Sequence, residues 1–167
     1  MASTSQVAAS TLAATATTFI QVFETLDTSK LVPIQAENYS HEFAPASLGM
    51  PHLKSGEAFN SHLGSLTRIM RGFPGQIKQI WPNPSLNQCT VWANAVADFH
   101  DHVKDSDNEE EWKYRGEYIF VFKMDQSGKK IEHALEFVDS QGTEKLRGLI
   151  IRALKKLDEL EAEKGSK

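Results

Sequence analysis

The run Tyr118-Ile119-Phe120-Val121-Phe122 is apolar on both of its faces. Successive side chains of a strand point to opposite sides, so a strand built on this run must be covered twice. It lies within a longer β-rich stretch, Trp112 to Met124. That stretch meets the turn-forming Asp125-Gln126-Ser127-Gly128 and returns as Lys130 to Asp139. Short turns of this kind join antiparallel strands. Helices can cover one face of the sheet, and a second copy of the chain is the simplest cover for the other.

The rest of the chain supplies those helices and the remaining strands. Leu12, Ala16, Phe19, Phe23 and Leu26 follow helical spacing and predict a first helix over about 8–26. A short helix over Lys30 to Asn38 and a strand at Tyr39 to Phe43 follow. Ala44 to Lys54 reads as a loop. Ser55 can cap a helix whose stripe is Phe59, Leu63, Leu66, Met70 and Phe73, stopped by Gly72, Pro74 and Gly75. Gln76 to Trp81 is strand-like and Pro82-Asn83-Pro84-Ser85 breaks it. Cys89 to His102 reads as one long strand, and Lys104 to Glu111 as a charged, solvated loop placed where it can act as a lid. Leu146, Leu149, Ile150, Ala153, Leu154 and Leu157 stripe a last helix from about Thr143 to Glu161. The order predicts an α+β fold in one domain over 1–167, with a core at about 8–155 and disordered ends at 1–7 and 162–167.

Charge excludes several partner classes. The 167 residues hold 18 basic and 22 acidic side chains, a net charge of −4, with no basic patch to attract nucleic acid or an anionic membrane. No stretch approaches the roughly 20 apolar residues of a membrane helix, and Met1 to Thr18 lacks the basic start of a secretory signal. One cysteine, Cys89, rules out an intrachain disulfide. A cytoplasmic protein is expected. There is no glycine-rich phosphate loop, Gly-x-Ser-x-Gly elbow or paired-cysteine motif.

Trp112-Lys113-Tyr114-Arg115-Gly116-Glu117-Tyr118-Ile119-Phe120, then Gly128-Lys129-Lys130-Ile131 and Leu135-Glu136-Phe137-Val138-Asp139-Ser140, resemble the closing strands of SnoaL-like proteins in the nuclear transport factor 2-like superfamily. Together with His41-Glu42-Phe43-Ala44-Pro45-Ala46-Ser47-Leu48, they are similar to the small fungal members of alkaloid, meroterpenoid and polyketide pathways. Those include isomerases and cyclases such as the brevianamide-type semipinacolase. The resemblance implies a curved antiparallel sheet wrapped by helices into a cone-shaped pocket, a cystatin-like α+β barrel; the homodimer is expected from the uncovered sheet face instead. The resemblance also implies a site of two tyrosines four apart, a glutamate on the next strand and a basic residue on the first strand. Tyr114, Tyr118 and Glu136 match, and His41 stands in the basic position.

On one strand face lie Tyr114, Gly116, Tyr118 and Phe120, with Gly116 leaving room for a ligand. A carboxyl facing a dry pocket can hold or pass a proton near neutral pH, and a phenol stays protonated and donates to developing negative charge. This set suits rearrangement of a hydroxy-imine or ketone without metal or redox cofactor. The same tyrosines can instead be packing residues, and Glu136 can pair with a cross-strand cation. Tyr39 and Phe43 share the face of His41, which is either a general acid–base or a hydrogen-bonded structural group. Trp92 and Asn94 alternate on a central strand and, with Phe120, are candidates to contact a small-molecule substrate. His62, beside Leu63, either looks into the pocket or is solvated. Asp98, His100 and His102 have metal-compatible alternation but lack further ligands at a diagnostic distance, so no metal is expected.

Three functions compete. The first is a cofactor-independent isomerase or cyclase acting by semipinacol-type rearrangement. The second is a dehydratase or hydrolase of a polyketide-type substrate, with His41 and Asp98 moving protons. The third is a non-catalytic binding or dimerisation module whose pocket is filled by its own side chains.

Overall fold

The computed structural model describes residues 6–165. Helix α1 (Ala9–Gln21) buries Leu12, Ala16 and Phe19, one face at helical spacing. Its Thr15 hydroxyl donates to the Gly128 carbonyl at 2.7 Å, tying the helix to the turn of the C-terminal hairpin. Gly128 has φ +70°, and a Cβ there would run into Val7 and Leu12. The turn and the helix packed on it both require glycine.

The first helix stops short of residue 26, passing into a 3₁₀ turn at Val22–Glu24. The helix expected over 30–38 is replaced by two 3₁₀ turns, Thr28–Lys30 and Val32–Ile34, and strand β1 already begins at Gln35 and runs to Ala44. Pairing along the sheet outweighs the weak helical pattern there. Helix α2 (Gly56–Ser65) is capped as expected, Ser55 Oγ accepting from the Ala58 N–H at 3.1 Å. It ends before Met70, which opens the short strand β2 (Met70–Gly72). Gly72 passes so close to Glu24 that a Cβ would meet that residue's carbonyl oxygen, and chain continuity here favours strand over a third helical turn.

Strand β3 (Gly75–Asn83) carries Pro82 rather than breaking at it. It is an edge strand, where a missing N–H costs no ladder bond. The stretch expected as one strand over 89–102 divides into β4 (Gln88–Val96) and β5 (Asp98–Phe99), the latter paired with β2. Trp112 closes a single helical turn, α3 (Glu109–Trp112), instead of opening a strand. Strands β6 (Arg115–Met124) and β7 (Ile131–Val138) form the expected hairpin. Helix α4 (Ser140–Gly165) extends past the expected end at Glu161, its Glu, Ala and Lys residues being strong helix formers. Of the ends expected to be disordered, residues 1–5 and 166–167 lie outside the described residues.

The main sheet has the order β1-β7-β6-β4-β3. Its pairs are antiparallel except that β1 runs parallel to β7, so the sheet is mixed rather than wholly antiparallel. It is curved and unclosed: β1 and β3 are both edges. Helix α1 crosses β3 and β4, and α2 lies on β1. Phe19 of α1 is the hub of the core, its ring 4.9 Å from Phe122, 5.6 Å from Phe59 and 6.0 Å from Phe120. The outer face carries Ile119, Val121 and Leu135, with Trp81 and Phe137 about half exposed. Among the described residues, no helix is long and apolar enough to cross a membrane.

Candidate active site

The hollow between helices and sheet is a cavity of about 420 Å³, within the range of small-molecule sites. Phe43, Phe59, Phe73 and Phe120 give it aromatic walls, and Ile77 and Ala93 add aliphatic surface. Ala93 and Ala95 are inward-facing partners of Tyr118 and Gly116 across the β4–β6 ladder. Their small side chains leave the space that a larger residue would fill.

Glu136 lines this cavity and is 6% exposed. Parallel pairing sets β1 beside it, with Phe43 opposite Glu136 and His41 opposite Ala134. His41 Nε2 lies 2.9 Å from Glu136 Oε2. Its Nδ1 lies 2.9 Å from the Tyr39 hydroxyl. Both residues are fully buried, and Phe59 stacks on the His41 ring at 4.2 Å. An ionised carboxylate only accepts, so Nε2 donates to Glu136. In neutral imidazole Nδ1 then accepts, and Tyr39 O–H donates to it. Burial, followed by the nearby Glu136, pushes the Tyr39 phenol far above its usual value, which keeps that proton in place.

Tyr118 projects into the cavity two residues before Phe120. Its hydroxyl lies 2.7 Å from that of Tyr114, the residue just before β6. Burial first, then Tyr114 and Glu136, raises the Tyr118 phenol far above its ordinary range, and burial also raises Tyr114. Both stay protonated and serve as hydrogen-bond donors. A Cβ at Gly116 would collide with the Tyr114 hydroxyl and lie 2.9 Å from that of Tyr118. The glycine thus makes room for the two phenols rather than for a ligand.

Of the residues singled out in the sequence, Phe43, His62, Asn94, Tyr118, Phe120 and Glu136 line the cavity. Tyr39, His41 and Tyr114 stand one contact behind it. His62 is in the cavity wall, and burial holds its imidazole below the usual value. The Asn94 amide oxygen is already taken by the Gln76 N–H at 3.3 Å. Trp92 does not line the cavity: its indole donates to Glu117 at 3.1 Å and Lys78 sits over its ring, on the outer face. Alternation placed Trp92 and Ala93 on opposite faces, and the small residue is the inner one.

Asp98 does not meet His41; it pairs with Arg71 at 2.9 Å. His100 Nε2 lies 3.0 Å from the Thr67 carbonyl. Among the described residues no group of three His, Cys, Asp or Glu is arranged to hold a metal ion. Cys89 faces the core, where burial pushes its thiol up to about 11. The expected lid segment, Lys104 to Glu111, packs elsewhere: Asp105 and Glu111 bind Arg152 of α4. The site residues missed in the sequence come from several elements, Ile20 of α1 and Phe59 of α2 among them, and four stand on α4: Thr143, Leu146, Arg147 and Ile150. Their i, i+3, i+4, i+7 spacing marked a buried face, but nothing local said that a cavity lay beneath it.

No family model matches the chain. Austinoid biosynthesis cluster protein H of Aspergillus calidoustus is 25% identical over 129 residues, covering 77% of this chain and 83% of that protein. Among solved structures, BvnE pinacolase from Penicillium brevicompactum matches with a TM-score of 0.72 at 18% identity, over 85% of this chain and 92% of its own. PrhC from Penicillium brasilianum NBRC 6234 matches with a TM-score of 0.70 at 15% identity, over 90% and 95%. AusH from Aspergillus nidulans matches with a TM-score of 0.67 at 18% identity, over 80% and 87%.

Proposed function

We propose that this chain, which has the SnoaL/NTF2-like fold of its fungal structural neighbours, is a cofactor-independent isomerase or cyclase of secondary metabolism that carries out a semipinacol-type rearrangement. One observation carries the reading. A carboxyl fixed by a buried histidine and a protonated phenol fixed by a second phenol face the same apolar cavity. The names borne by the neighbours, a pinacolase and proteins of fungal biosynthetic clusters, agree with it.

The chemistry follows from the two groups. Glu136 takes the proton of a substrate hydroxyl as its carbon becomes a carbonyl. One C–C bond to that carbon breaks and re-forms at the adjacent electron-poor carbon. The nitrogen or oxygen that receives the electron pair there is met by the Tyr118 hydroxyl, with Tyr114 behind it. Glu136 then gives that proton back to the nitrogen or oxygen, so net one proton moves from one substrate atom to another and the composition is unchanged. The walls fix the conformer and so decide which bond migrates. Measuring turnover of the pathway intermediate tests this: Glu136→Gln is expected to lose about 10²- to 10⁴-fold, the range of general acid–base catalysis. Unchanged turnover removes Glu136 from the mechanism.

The dehydratase reading with a His41–Asp98 pair lacks that pair, since Asp98 is held by Arg71 outside the cavity. The non-catalytic reading expected a pocket filled by its own side chains, and the hollow beside Glu136 does not favour it. The same proposal extends to a homodimer paired through the outer sheet face. Trp81→Lys with Phe137→Lys, at two half-exposed aromatics, is expected to convert a dimer to a monomer in sedimentation. A wild-type chain that sediments as a monomer rejects the dimer.

A further inference from the structure

Arg147 is the formal cation among the described residues lining the cavity; the other ionisable groups there are Glu24, His62, Tyr118 and Glu136. It stands on the α4 face that also presents Thr143, one turn earlier. Its guanidinium is held at both ends of the fork. Nη1 donates to Glu144 at 2.7 Å and Nη2 donates to the Leu48 carbonyl at 2.8 Å. Two of five N–H donors are thereby used, which leaves three for a ligand. The side chain is 43% exposed, so it sits where the cavity meets solvent. Holding the fork in advance removes most of the rotamer entropy that a free arginine loses on binding.

From this geometry we infer that Arg147 determines substrate specificity by binding a carbonyl or carboxylate oxygen of the substrate, away from the carbon that rearranges. The inference rests on the cavity being the substrate's seat, and it deepens that reading by naming a structural requirement. The substrate is a largely apolar molecule that carries, besides its reacting hydroxyl, an oxygen acceptor able to reach α4. A remaining N–H of the guanidinium can donate to such an oxygen, and a hydrogen bond from a charged donor is stronger than one between neutral groups. The flanking Leu146 and Ile150 leave the rest of the substrate in apolar surroundings. Arg147 touches no group assigned to the chemistry, so its effect falls on affinity rather than on the chemical step.

The competing account is purely structural. By holding Leu48, Arg147 fastens the loop after β1, which brings Met50 to the cavity wall. Three fluorescent apolar probes separate the two accounts without needing turnover. N-phenyl-1-naphthylamine has no oxygen, 8-anilinonaphthalene-1-sulfonate adds an anion to nearly the same frame, and prodan carries a neutral carbonyl. Arg147→Ala is expected to weaken the sulfonate probe about tenfold, the loss of one bond to a charged group, and to leave N-phenyl-1-naphthylamine within about twofold. A parallel loss for prodan identifies a carbonyl acceptor, and a loss confined to the sulfonate identifies an anion. Arg147→Gln keeps a donor for Leu48 and is expected to weaken the sulfonate probe as alanine does. Equal weakening of all three probes by alanine with recovery by glutamine, or no weakening at all, overturns the inference. Because the readout is binding, it stands apart from the Glu136 turnover test.

Discussion

Strands β1 and β7 carry two hydroxyl–imidazole–carboxyl chains, one on each face of the sheet. The inner chain is Tyr39–His41–Glu136, with contacts of 2.9 Å and 2.9 Å. The outer is Ser40–His133–Glu42, with 2.9 Å from Ser40 Oγ to Nδ1 but 3.7 Å from Nε2 to the carboxylate. The last distance lies beyond hydrogen-bond reach. The residue types nearly match, so the difference lies in surroundings. Inside, Phe59 stacks on the imidazole and the carboxyl opens onto a cavity. Outside, Glu42 is about half exposed and solvent competes for every partner. What sets the inner chain apart is thus the hollow and the burial around it as much as its side chains.

The largest effects should split by face. Against the 10²- to 10⁴-fold loss expected for Glu136→Gln, Glu42→Gln is expected to leave turnover within about twofold. Comparable losses from both would end the contrast. Stability divides next. Removing one member of a buried pair leaves the other unpaired, at about 3–5 kcal/mol. His41→Ala should therefore lower the urea midpoint severely. His133→Ala, at a half-exposed position, should stay within about 0.5 kcal/mol. If His41→Ala is also mild, Glu136 finds water and the cavity is wetter than its walls indicate.

How much of this was legible depends on sequence distance. The β6–β7 hairpin was, because its turn residues are adjacent to the strands they join. Counting from Ser127-Gly128 puts Leu135 to Val138 near Tyr118, and the register pairs Tyr118 with Val138 and Phe120 with Glu136. The pairing of β1 with β7 left no local mark: it is parallel, its members lie about ninety residues apart, and no turn announces it. The His41–Glu136 bond depends on that pairing and was not legible: the resemblance placed both residues in the site without joining them. Trp92 was selected with Asn94 by their alternation on a central strand, whereas the hollow is made on the other face, where the side chains are small, at Ala93 and Ala95. Gly116 was rightly read as space, but the occupant is the Tyr114 hydroxyl. The reach of α4 over the opening was equally hidden, because a helical stripe shows that a face is buried and not what it faces.

Hydroxyl removal sharpens the comparison further. Tyr39→Phe leaves His41 Nδ1 buried without a partner, at about 1–3 kcal/mol, and loosens the ring that orients Glu136. Turnover should fall by less than for Glu136→Gln while KM changes little. Ser40→Ala removes a bond that water can replace and should alter neither stability nor turnover measurably. A Tyr39→Phe variant as stable as wild type would show that the inner chain is not held together by its hydroxyl.

The smallest effect is a slope. His62 in the cavity wall and His133 on the outer face are both held below the usual imidazole value, by burial in each case; Glu136 opposes the shift and His41 adds to it at His62, while at His133 Glu42 opposes it and His52 and Lys123 are among those that add to it. Below about pH 6.5, the reference value for histidine, the unfolded chain takes up protons that the folded chain resists. The associated stability is present above that pH and is lost as pH falls through the folded values. Urea midpoints should therefore drop between pH 7 and pH 5. His62→Asn should flatten that drop more than His133→Asn, because a protonated imidazole in the cavity wall forgoes more solvation than one beside water. Equal flattening by the two variants would mean that the cavity offers His62 nearly the same access to solvent that the outer face offers His133.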